Sequence, residues 1–168
     1  MEKLDNFIEK FFHDRSDRYS EEDIKKNKVF AMLPFFSFVT IPFLIKQVIK
    51  LFGMMYFLKF SLVLFWKPIL LLIVFATLVL AAFIGARKSK FAAFYFNQGI
   101  SFGIWGFLLS VAVEVIIGIV HNSTVSIVLF VVLIAYYVFG VAFSVYNILK
   151  GKVRKNPIIG KKTYFKNL

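Results

Sequence analysis

The chain has 168 residues, 60% of them hydrophobic, with 21 lysines and arginines, nine acidic residues and no cysteine. Soluble domains are about 45–50% apolar, so the excess and the mean hydropathy of +0.77 point to an integral α-helical membrane protein. The missing cysteine excludes disulfides and thiol chemistry. The net charge of +12 reads as basic flanks of membrane spans, not as a nucleic-acid surface, because the bases sit beside long apolar blocks.

Residues 1–28 are predicted to form a cytoplasmic amphipathic segment. Leu4, Phe7, Ile8, Phe11 and Phe12 recur at helical spacing with charges opposite. Such a stripe lies in the membrane interface or packs against the rest of the protein. The segment mixes acids with bases and has no continuous apolar core, so no cleaved signal peptide is expected. Ser20 followed by Asp23 fits a helix start near Glu21, with acids in the first turn. Asp14, Asp17, Glu21 and Asp23 lack the glycine and terminal glutamate of a calcium loop. They read as a solvated face, and no metal or other cofactor is expected.

A transmembrane domain is predicted over residues 29–149. Span one covers about 29–45 and carries Pro34 and Pro42, which predict a kink or tilt. Residues 46–64 hold Lys46, Lys50 and Lys59 and read as an interfacial helix or as a continuation into the next span. Span two covers about 65–86, with Trp66 and Lys67 as interface anchors. Span three covers about 94–120 and span four about 124–149. The three residues His-Asn-Ser between them predict a tight antiparallel hairpin. Residues 150–168 form a basic cytoplasmic tail, expected to fold back along the anionic inner leaflet.

Orientation follows from the bases. Seven fall in 1–28, three in 87–90 and seven from residue 150 onward, against four in 46–67. With four spans the three richer segments share one side, and the positive-inside tendency makes that side cytoplasmic. A multi-pass cell-membrane protein with both termini inside is expected. The phenylalanine-rich, lysine-rich composition suggests an AT-rich bacterial genome.

"NQGISFGIWG" (97–106) contains two patterns. Gly99-x-Ser101-x-Gly103 matches a serine-hydrolase elbow, but that elbow needs a strand before the serine and a base within reach. The flanks here are helical, and His121 lies about 30 Å along the same helix at 1.5 Å per residue. No enzyme activity is expected. The same residues read better as a packing face: Gly99, Gly103, Gly106, Ser110 and Glu114 fall on one side of span three. Gly140 and Ser144 offer a matching face on span four, which is expected to meet the first or to serve a partner molecule. Ser101 points to the opposite side.

Glu114 is the one acid within the membrane blocks. It reads either as a proton or cation site, or as a structural hydrogen-bonding group, with Lys67 or a water-filled cleft as its partner. Asn97 and Gln98 near the inner end of span three, and Asn147 at the inner end of span four, are expected to cross-link the helices there. Phe94, Tyr95 and Phe96 are expected to form an aromatic belt.

Two stretches carry a resemblance. "SKFAAFYFNQGISF" (89–102) and "NILKGKVRKNPIIGK" (147–161) are similar to motifs flanking the helical hairpin of a family of small four-span membrane proteins. That family includes the twenty-kilodalton inner-envelope subunit of the chloroplast protein-import translocon and bacterial relatives of undefined role. The matching residues are Lys90, Phe91, Phe94, Asn97, Gln98 and Gly99, then Asn147, Gly151, Lys152, Pro157, Ile158, Ile159, Gly160 and Lys161. Where the family carries Arg and His, this chain has Ala93 and Tyr95. The resemblance implies the four-span fold and a link to protein translocation.

The leading expectation is a non-enzymatic scaffold or accessory subunit acting beside a membrane-protein partner or a second copy of itself. Two alternatives stand: a small-ion or proton transporter using Glu114, and a membrane immunity or stress protein.

Overall fold

A computed structural model describes residues 14–56 and 66–155. The amphipathic stretch 1–13, residues 57–65 and the tail from 156 onward lie outside the described residues. Pro157, Gly160 and Lys161 fall there, and the side chains of Lys50 and Lys67 are likewise undescribed. A 3-10 turn at Ser16–Arg18 leads into α1 (Glu21–Val39), α2 (Ile41–Tyr56), α3 (Trp66–Lys88), α4 (Lys90–Val120) and α5 (Ser123–Leu149). Among the described residues there is no strand, and four stretches are long and apolar enough to cross a membrane: Glu21–Gln47, Pro68–Lys88, Lys90–Val120 and Ser123–Leu149. The protein is all-α with four spans.

Helix α1 begins where Ser20 caps it, the Asp23 amide donating to Ser20 Oγ over 3.2 Å. It ends at Thr40, whose hydroxyl donates to the Ser37 carbonyl over 2.6 Å. Pro42 explains the interruption. It has no N–H to give the Phe38 carbonyl, and its ring crowds that turn. The chain restarts at once as α2, which carries residues 41–56 in one helix. The boundary expected at residue 45 therefore moves. Lys46 and Gln47 belong to the first span, because isolated lysines are good helix formers and no breaker follows Pro42 until Gly53. Residues 46–56 continue the helix that starts at Ile41.

Helices α1 and α4 form the central pair, and α3 and α5 each pack against both. Ser89 separates α3 from α4 and accepts from the Ala92 amide over 3.0 Å. Two residues turn α4 into α5. His121 sits in the left-handed region at φ 47°, and Asn122 Oδ1 accepts from the Thr124 and Val125 amides at 2.9 and 3.1 Å.

Helix α4 has 31 residues, about 46 Å at 1.5 Å per residue, against a hydrocarbon thickness of about 30 Å. The surplus lies at its N-terminal end, where protein covers it. Phe91, Ala92, Ala93, Tyr95, Phe96, Asn97, Gln98 and Gly99 are all buried. The buried cluster there joins Ile24 and Phe35 of α1, Phe91, Tyr95 and Phe102 of α4, Ile148 of α5 and Val153 beyond α5. The aromatic belt expected at Phe94–Phe96 is thus largely interior. Tyr95 is fully buried and Phe96 packs on Phe83 of α3 at 5.9 Å. At the opposite end the helices present apolar side chains outward, with Ile119 74% and Ile127 63% exposed.

Candidate functional site

The polar residues at the N-terminal end of α4 meet at the chain segment that follows α5. Gly151 stops the helix. Its φ of +70° suits glycine, its amide donates to the Ile148 carbonyl over 3.0 Å and the Lys152 amide donates to the Asn147 carbonyl over 2.9 Å. This paired 5→2 and 6→1 closure turns the chain back under the bundle. Val153 and Arg154 then enter the protein, at 0% and 1% exposure.

Three residues hold that segment. Tyr95 Oη donates to the Lys152 carbonyl over 2.5 Å, Gln98 Nε2 to the Arg154 carbonyl over 3.2 Å, and Arg154 Nη1 lies 3.5 Å from Asn147 Oδ1. The segment before α1 closes it from the other side. Asp14 Oδ1 accepts the Val153 amide at 2.9 Å, and the Arg15 amide donates to the Val153 carbonyl over 3.1 Å. Two more bonds tie α1 to the same face. Asp23 Oδ2 accepts the Phe91 amide at 3.1 Å, and Lys28 Nζ donates to the Leu149 carbonyl over 2.6 Å. Tyr19 packs edge-on against Phe91 and Phe94. Burial pushes its phenol pKa up; Arg18 and Arg15 oppose the shift and Asp23 adds to it.

Gln98 and Asn147 converge on Arg154. Asn97 Nδ2 donates to the Ala93 carbonyl of its own helix over 3.0 Å. The tail, expected along the lipid surface, is instead buried in protein over residues 153–154. Nothing in the sequence singled out Arg154, which sits in a run of bases that reads as solvated.

The small residues face three different helices. A Cβ on Gly99 would meet Pro34, and one on Gly103 would meet the Phe38 ring, both on α1. Gly106 faces Tyr136 and Tyr137 of α5, and Ser110 Oγ donates to the Gly106 carbonyl over 2.7 Å and lies 3.4 Å from Tyr137 Oη. Gly140 accepts the Phe102 ring, which stacks on Tyr136 at 5.0 Å. Ser144 is buried near the C-terminal end of α5. The α4 face is thus filled by α1 at Gly99 and Gly103 and by the α5 tyrosines at Gly106 and Ser110, while the Phe102 ring of α4 fills the Gly140 face of α5. Ser101, on the opposite side of α4, is buried as well. Sequence reasoning missed Gly85 of α3, where a Cβ would strike Phe30. Its signal was present in Ala82, Gly85 and Ala86, a small-residue patch at helical spacing.

Glu114 lies at a separate place. It lines a cleft of about 350 Å³ with Val39, Phe43 and Lys46 near the α1–α2 junction, Ser110 of α4, and Phe130, Ile134, Tyr137 and Val138 of α5. Lys46 Nζ stands 5.9 Å from the Phe130 ring centroid. Lys46, not named as a partner on sequence grounds, is the one cation among the described residues that lines this carboxylate's cleft. Among the described residues no group of three or more His, Cys, Asp or Glu is placed to hold a metal. Comparison of the chain with protein-family models, with curated proteins and with solved structures returned no match.

Proposed function

We propose that this chain is a non-enzymatic scaffold or accessory subunit of the cell membrane, linked to protein translocation or export, with both termini on the cytoplasmic side. One observation carries the reading. The polar side chains of the inner end are engaged in intrachain bonds that fasten both flanking segments to α4 and α5. Such an arrangement builds a rigid inner face rather than a reaction centre. The two stretches that carry the family resemblance lie against one another there, Tyr95 and Gln98 in the first, Asn147, Lys152 and Arg154 in the second. The bases of 1–28, 87–90 and the tail support the cytoplasmic assignment.

The test is crosslinking in native membranes through a photoreactive residue placed at Lys25 or Lys88, both on the inner side. Adducts with a membrane-embedded secretion component support the proposal. Adducts confined to lipid or to a second copy of this chain contradict it.

A further inference from the structure

We propose that the cleft beside Glu114 holds a phospholipid with a primary-amine headgroup, the ammonium on Glu114, the phosphate toward Lys46 and an acyl chain along α5. Three observations lead there. First, the two charges are of opposite sign and line one cleft, yet form no ion pair with each other. Glu114 has no hydrogen-bond or ion-pair partner among the described residues. An unpaired carboxylate in a membrane span is unfavourable, and a cation supplied from outside the chain relieves it.

Second, both charges sit toward one end of the bundle. Glu114 is six residues from the end of α4, about 9 Å at 1.5 Å per residue. Lys46 reaches the same cleft from α2, in the later part of the first apolar stretch. Both charges thus lie closer to one face of the bilayer than to the other, on the side from which a headgroup can reach down to them. Third, the cleft opens sideways. Phe43, Ile134 and Val138 on its rim are 61%, 60% and 62% exposed, so its mouth faces the acyl chains.

Charge complementarity selects the occupant. An inorganic cation would satisfy Glu114 and leave both Lys46 and the apolar wall unused. An anionic lipid would suit Lys46 and be repelled by Glu114. A choline headgroup brings positive charge but no N–H to donate. A primary ammonium donates to the carboxylate while its own phosphate meets the lysine.

Native mass spectrometry of the full chain in detergent tests this, with phosphatidylethanolamine, phosphatidylcholine and phosphatidylglycerol of identical acyl chains. The ethanolamine lipid should bind about tenfold more tightly than the glycerol lipid, the scale of one charge-assisted hydrogen bond. Glu114→Gln should erase that preference, Glu114→Asp, which keeps the carboxylate, should retain it, and Lys46→Gln should weaken binding of all three lipids, whose phosphate is common, while leaving the preference in place. Water-soluble glycerophosphoethanolamine should not compete. Equal binding of the three lipids, a preference unchanged in Glu114→Gln, or effective competition by the soluble headgroup would each overturn the proposal.

Discussion

Gln98 on α4 donates to the main-chain carbonyl of Arg154, 56 residues away in sequence, over 3.2 Å in a buried setting. The bond closes this end of the bundle around a segment that has no regular structure of its own. Replacing Gln98 with Ala leaves that carbonyl without this donor, at a cost of about 1–3 kcal/mol. The expected result is a lower thermal midpoint in detergent and faster tryptic cleavage after Arg154, with the helical content unchanged before melting. Cleavage after Arg154 at the same rate in both proteins would show that the segment is not held by this bond.

Glycines of one helix should differ sharply in tolerance. Gly103→Ala places a methyl group into the Phe38 ring, and Gly99→Ala places one onto Pro34. Overpacking of this kind costs about 1–3 kcal/mol. Gly118, with nothing within 4 Å of a Cβ, should accept alanine with a gain of up to about 1 kcal/mol from helix propensity. Thermal unfolding of the three variants in one detergent orders them.

Gly151 is a second glycine requirement of a different kind. Its φ is +70°, and an added Cβ would stand 3.0 Å from Ile24 Cγ2. Alanine there costs about 1–2 kcal/mol from the left-handed backbone. The substitution should release residues 152–155 from the inner face. Hydrogen exchange at the Lys152 and Val153 amides, protected by Asn147 and Asp14, would rise, while exchange in α4 near Gly106 would not.

A scaffold passes no current. Purified protein in liposomes should leave a proton gradient to decay at the rate of empty liposomes. Faster decay that disappears in Glu114→Gln would favour the transport alternative.

Much of the architecture is legible in the amino-acid order because lipid demands it. Uninterrupted apolar runs mark α3, α4 and α5, and three polar residues suffice to mark the turn at His121. The side of α4 that is small was likewise readable from the spacing of Gly99, Gly103 and Gly106. What met that side was not, since periodicity defines a face but not the helix that approaches it. Pro34 and Phe38 fill most of it, from a segment some 65 residues earlier. Arg154 was illegible for a related reason. A basic run looks solvated, and only the fold reveals that Gly151 turns the chain inward and buries one member. The pairing of Lys46 with the Glu114 cleft depends on Pro42 ending α1 without ending the span.

The account rests above all on α4 crossing a bilayer. The chain contains no cysteine, so single cysteines report position without background. Lys88 and His121, both exposed, flank α4 at its two ends. With a membrane-impermeant maleimide, His121→Cys should label in intact cells and Lys88→Cys only after permeabilisation. Labelling of both positions from the same side would contradict the four-span arrangement, and labelling of Lys88→Cys alone in intact cells would reverse its orientation.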